Sequence, residues 1–163
     1  HTPEQIEQEL DHIARVAAVM VDGDACRRIV TPRALEYMFK SDPHDRFLAG
    51  DNYDVNDAEF NSAKKTLIRL ARLAPFDCDV NLWMPITGHP DKIQVVIRNV
   101  HELSQFWTFG AIDQEMFPPM RTVLETGKPV TVKQRPGMIS VLGPVYDSLG
   151  DVAGLVEVVS HSS

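Results

Sequence analysis

The chain has 163 residues, a formal net charge of -7, 44% hydrophobic and 24% charged residues, enough for one domain around one core. No apolar run approaches the roughly 18 residues that span a bilayer. The acidic balance, the lack of a dense Lys/Arg run and an aromatic content of 7% argue against a phosphate-binding surface, so nucleic acid is not an expected partner.

The sequence opens at His1 without an initiator Met or a signal peptide, which reads as a segment cut from something larger. Thr2-Pro3-Glu4-Gln5 combines an N-cap, a proline at the first helical position and a capping-box Gln. Ile6, Leu10, Ile13, Ala17 and Met20 follow at alternating steps of four and three, an amphipathic helix with a coiled-coil-like seam. Such a seam can pack on its own domain or on the same helix of a second copy. Asp22-Gly23-Asp24 breaks it. Cys26 and Cys78 match no zinc or redox spacing and are expected as separate buried thiols, with a single disulfide as the alternative.

Residues 31–40 (TPRALEYMFK) repeat the Thr-Pro helix start, and Ser41-Asp42-Pro43 ends it. Asp42 to Asn56 is a polar surface loop. Its Asp42, His44 and Asp45 fix no coordination geometry, so no metal is expected there. Asn56-Asp57-Ala58-Glu59 caps a further helix with Phe60, Ala63, Leu67, Leu70 and Ala74 inward and Lys64, Lys65, Arg69 and Arg72 outward, closed by Pro75.

Cys78 to Ile86 and Lys92 to Asn99 form two strands joined by the five-residue loop Thr87 to Asp91. Val100 to Met116 is irregular and aromatic. Pro118-Pro119 starts a helix through Glu125, and Gly127 supplies its left-handed cap. From Gly127 to Val159 three short strands are separated by Arg135-Pro136-Gly137 and Ser148-Leu149-Gly150-Asp151. Helices first, then hairpin-linked strands around one crossover, give an α+β fold: a five-stranded antiparallel sheet with a long N-terminal helix and further helices packed on it.

Chemistry is sparse. His101-Glu102 starts like a zinc-protease helix, but no second His follows, and no nucleotide, acyl-transfer or thiol-redox motif is present. No catalytic residue, metal or cofactor is assigned. A small enzyme with an unrecognised acid/base pair is the weakest reading. What remains is a pocket under the crossover, with Phe106-Trp107-Thr108-Phe109 as its lid and Arg98 and His101 just before it. Arg98 suits a ligand carboxylate through a two-pronged hydrogen bond. Met138, Ser140, Leu142 and Tyr146 share one strand face by period two. The candidate ligand-binding set is Trp83, Arg98, His101, Phe106, Trp107, Met138, Ser140 and Tyr146.

Taken together, IARVAAVMVDGDA, KKTLIRLARLAP, a hairpin, MFPPMRTVLETGKPVTV and GPVYDSLGDVAGLVEVV resemble the extracytoplasmic PAS-like sensor domains, the Cache group, of bacterial transmembrane receptors. The likeness runs from about Ile13 to Val159. It is sharpest at Pro144-Val145-Tyr146-Asp147 with Gly150 and Gly154, which resembles the ending P-[IV]-x-D-x-x-G-x-[VA]-x-G. This resemblance implies a single sensor domain, with residues 1–21 as a signalling and dimerisation helix and residues 78–160 as the sheet core. It further implies a periplasmic location, membrane tethering by flanking helices, and an output such as a diguanylate cyclase, histidine kinase or chemoreceptor. The ligand would be a small molecule, a carboxylate among them, held on the sheet. The alternatives are a dimerisation module with a collapsed pocket and a cytoplasmic PAS domain.

Overall fold

The computed structural model describes residues 1–40, 56–107 and 115–162, with the side chains of 37–40 set aside. The acidic loop residues Asp42, His44 and Asp45 and the lid residues Thr108 and Phe109 lie outside the described residues.

Among the described residues, four helices precede the sheet: α1 (Pro3–Met20), α2 (Gly23–Arg27), α3 (Pro32–Lys40) and α4 (Asp57–Ala71). The capping box of α1 is formed reciprocally, Thr2 Oγ1 accepting from Gln5 N and Gln5 Oε1 accepting from Thr2 N. Asp22 ends α1 as expected, but it also starts a helix that the sequence reading missed. Its carboxylate accepts from Asp24 N at 2.9 Å and Ala25 N at 3.3 Å, so the chain turns directly into α2.

The strands are β1 (Cys78–Ile86), β2 (His89–Ile97), β3 (Val130–Val132), β4 (Met138–Tyr146) and β5 (Val152–His161), with α5 (Pro118–Thr126) between β2 and β3. They form one antiparallel sheet in the order β2-β1-β5-β4-β3. This is the expected α+β architecture, PAS-like in general form. The β1–β2 loop is tighter than expected. Gly88 at φ 83° permits a turn at Thr87-Gly88, and β2 then starts at His89. Pro90 fits within β2 because that strand is an edge. Gly127 adopts φ 69° and donates its N–H to Val123 O, the expected cap.

Both faces of the sheet are covered, each by a different kind of material. On one face Ile6, Leu10, Ile13, Ala14 and Ala17 of α1, with Phe60, Leu67 and Leu70 of α4, pack on Val80, Leu82, Val141, Val145, Val156 and Val158. The α1 seam is therefore a core seam: Ile6, Leu10, Ile13 and Ala17 are buried in their own domain, and only Met20 escapes at 61% exposure. On the other face, Trp83, Val95, Leu142 and Leu155 meet Phe106 of the crossover and Met120 and Val123 of α5. Cys26 and Cys78 are free and buried, and burial pushes both thiols up to about 12.

The ending that carried the resemblance has a mechanical reading. The Asp147 carboxylate accepts from Leu149 N and Asp151 N and pairs with Arg27 Nη1 at 2.6 Å, while Ser148 N donates to Asp24 Oδ2. Gly150 sits at φ 84° in that turn. Gly154 serves close approach instead: a Cβ there would stand 2.8 Å from the Trp83 carbonyl and would press on the Met84 sulfur. Gly154→Ala is expected to lower stability by about 1–3 kcal/mol through this overpacking, read as a lower urea midpoint with unchanged slope.

Candidate functional site

Alternation along β1 places Asp79, Asn81 and Trp83 on the crossover face, while Val80 and Leu82 point at the helices. Across the strand pair Asn81 stands opposite Glu157, and Trp83 opposite Leu155. The result is a polar row inside the protein: Asp79, Asn81 and Glu157 are all within 1% of complete burial. A carboxylate removed from water this thoroughly must be supplied with donors.

Glu157 receives four. Its Oε1 accepts from Ser104 Oγ at 2.7 Å, Trp83 Nε1 at 3.1 Å and Asn81 Nδ2 at 3.3 Å, and its Oε2 accepts from Gln105 N at 2.7 Å. Ser104 Oγ in turn accepts from Phe106 N, so its own proton is directed at the carboxylate. Burial raises the Glu157 pKa above its ordinary value; the bonds from Gln105, Ser104, Trp83 and Asn81 act the other way without cancelling it.

Asp79 performs the same service one step along. Its Oδ1 accepts from His101 N at 3.1 Å and faces His101 Nδ1 at 2.8 Å, and its Oδ2 accepts from Leu103 N at 2.9 Å. Between those gripped amides Glu102 is held at φ 52°, a left-handed conformation costing about 1–3 kcal/mol that persists only when its surroundings impose it. Asn99 N donates to Asn81 Oδ1, Asn81 Nδ2 donates to Leu103 O, and Gln105 bridges Val132 O and Arg135 N. The irregular segment 99–106 is thus fastened to β1, β3 and β5 largely by polar bonds.

The expected site residues separate into groups. Trp83, Phe106 and Trp107 come together: the Phe106 ring stands edge-on to Trp83 at 6.2 Å and 88°, and the Trp107 ring lies 6.2 Å from Trp83 at 35°. Trp107 Nε1 donates to Glu102 O. Ser140 is on the same face, fully buried, with its hydroxyl unpartnered. Arg98 pairs with Glu102 at 3.5 Å, and His101 is engaged by Asp79. Met138 and Tyr146 occupy the two ends of β4, about 26 Å apart for an extended strand of that length, and Tyr146 Oη donates to Gly127 O. The sequence reading missed Asp79, Asn81, Ser104, Gln105 and Glu157. The available signal was the single acid inside GLVEVVS and the polar alternation of CDVNLW.

His101 also borders a groove of about 360 Å³ with Arg72, Phe76, Asp77 and Cys78. A His oriented by a buried Asp is half of a nucleophile-activating arrangement. Here Cys78 has its thiol raised rather than lowered and contacts the Asp79 carbonyl at 3.7 Å, the opposite of an activated thiolate. Among the described residues no group of three or more His, Cys, Asp and Glu is placed to hold a metal. No family model, curated protein or solved structure matches the chain.

Two outcomes follow for Glu157. Glu157→Gln sets a carboxamide N–H₂ against one of the donors and is expected to cost about 2–4 kcal/mol, read by urea unfolding. Because the folded pKa of Glu157 lies above its unfolded value, its contribution is fully present below the unfolded pKa and is lost as pH rises through the folded one. Asp147, held below its ordinary value chiefly by the Arg27 hydrogen bond, contributes in the opposite sense: its share is lost as pH falls through its folded pKa. Unfolding midpoints measured from about pH 4 to pH 8 should carry a decline towards neutrality that is missing from Glu157→Gln.

Proposed function

We propose that this chain is a non-catalytic sensor module, an extracytoplasmic PAS-like domain of the Cache group from a bacterial transmembrane receptor, tethered by flanking helices and located in the periplasm. The sensory element is the crossover segment over Trp83. The observation that carries this reading is the fastening of residues 99–106: the backbone N–H groups of His101, Leu103 and Gln105 all donate to two carboxylates of the sheet, Asp79 and Glu157. A segment fastened by polar bonds can be released by a molecule that competes for the same donors.

The chemistry of the ligand follows. Asn81 Nδ2, Trp83 Nε1, Ser104 Oγ and Gln105 N together form a carboxylate receptor whose resident carboxylate is Glu157. A small carboxylate displaces it, frees the crossover and shifts the population of states read by α1 and β5. No membrane-crossing helix is found among the described residues, so the spans belong to the flanking sequence in this reading.

Acetate, propionate, succinate and alanine, tested by thermal shift and tryptophan fluorescence, check it. A true ligand at a hundred times its Kd adds about 2.7 kcal/mol. Glu157→Ala orphans the four donors, so acetate should stabilise this variant more than the wild type. If neither protein responds to any of the four, direct carboxylate sensing is wrong.

The filled state of this face favours one second reading, a dimerisation module with a collapsed pocket, since Trp83, Phe106 and Glu157 are fully buried. With its seam committed to the core, α1 offers a second copy only its outer stripe of Gln5, Gln8, His12, Arg15 and Val19. Sedimentation of the wild type against His12→Glu/Arg15→Glu reads this. A dimer that dissociates in the double variant supports it, and a concentration-independent monomer removes it.

A further inference from the structure

The groove of about 360 Å³ beside His101 lies between the C-terminal end of α4, the start of β1 and the segment that follows β2. Its imidazole is oriented from behind. The buried Asp79 carboxylate accepts from His101 N at 3.1 Å and faces His101 Nδ1 at 2.8 Å through the same oxygen. An ionised carboxylate only accepts, so the ring proton sits on Nδ1 and Nε2 keeps its lone pair. The His101 side chain is 40% exposed, and Nε2 stands 3.6 Å from Asp77 Oδ1, which belongs to an 80% exposed side chain. Two acceptors facing each other at that spacing repel unless a donor comes between them. One ammonium nitrogen, about 2.8 Å from each, satisfies both.

We propose that this groove binds a primary amine carried on a small apolar body, its ammonium between His101 Nε2 and Asp77 and its body along Ala71, Phe76 and Val100. Alkylamines and arylalkylamines are the ligand class. Asp77 meets the charge directly, and Asp79 lies one imidazole ring behind it, so both acids favour a cation. Arg72 in the same lining acts the other way, and the two acids with the Nε2 lone pair outweigh it. Both acceptors are at the surface, so no part of the fold has to open to admit the ligand, and the volume lies within the range of small-molecule pockets. An N–H donated to Nε2 polarises the ring and strengthens the Nδ1–H bond to Asp79. The amine then tightens the fastening that a carboxylate at Glu157 loosens, a consequence that rests on the sensor reading, whereas the site itself does not.

Benzylamine, benzyl alcohol and benzoate test it, since they share one ring and differ in the charge of one substituent. In ¹⁵N-histidine-labelled protein near neutral pH, His101 should carry its proton on Nδ1, and benzylamine should shift its Nε2 resonance saturably. Benzyl alcohol should bind about fivefold more weakly, and benzoate more weakly still. Asp77→Asn keeps the shape and removes the charge, and it should weaken benzylamine about twofold to fivefold, the value of one exposed charge pair. Arg72→Gln should leave benzylamine bound or tighten it. Both substitutions fall on exposed side chains, which spares the core. The proposal is overturned if His101 carries its proton on Nε2, if benzylamine does not move that resonance, if the alcohol or benzoate binds as tightly, if Asp77→Asn leaves the affinity unchanged, or if Arg72→Gln abolishes binding. The Trp83 Nε1–H resonance, followed in a parallel acetate titration, reports on the donors around Glu157, so failure at either site is distinguishable from failure at the other.

Discussion

A carboxylate in the middle of a sheet is costly, and Glu157 is fully buried on the central strand. Desolvating such a group costs several kcal/mol unless the surroundings replace its hydration shell. Here the replacement is made of neutral donors: an amide, an indole, a hydroxyl and a backbone N–H. Each donor has to arrive at a particular place, so the path of the chain from Asn99 to Phe106 is dictated by where the two oxygens of Glu157 and the two of Asp79 point. The aromatic cluster follows, because the Ser104 and Gln105 bonds deliver Phe106 onto Trp83.

The two faces of the sheet therefore adhere by different physics. The helical face is held by close packing of Leu, Ile, Val and Ala, which is insensitive to pH and to polar solutes. On the crossover face a polar network is interleaved with rings, and its strength depends on protonation and on competing donors and acceptors. A module that must keep its shape while one side responds to chemistry has reason to be built in this way, and the functional reading proposed above rests on that asymmetry.

Much of the architecture was legible in the residues. Capping signals located α1 and α4, Gly127 marked the end of α5, and two turn motifs bounded β4. The misses have physical reasons. α2 was hidden because Asp22-Gly23-Asp24 stops one helix and caps the next with the same carboxylate. The α1 seam was ambiguous because the same spacing serves a sheet or a partner helix, and only the sheet beneath it decides. Glu157 was invisible as a site because one acid in a valine-rich strand ordinarily faces water. Burial on both faces of β5 appears only once the crossover is folded over it, and the crossover has no periodicity from which that path could be read.

At the middle of β4, Gly143 leaves room for α1 to lie against the strand: a Cβ there would stand 3.0 Å from that of Ala14. Along this face of α1 the neighbours of Ala14 are Leu10 and Ala18, about 6 Å away along the axis. A one-turn shift that brought Leu10 over Gly143 would set an isobutyl group where a methyl already stands in tight contact, so the pair selects one axial register for the helix.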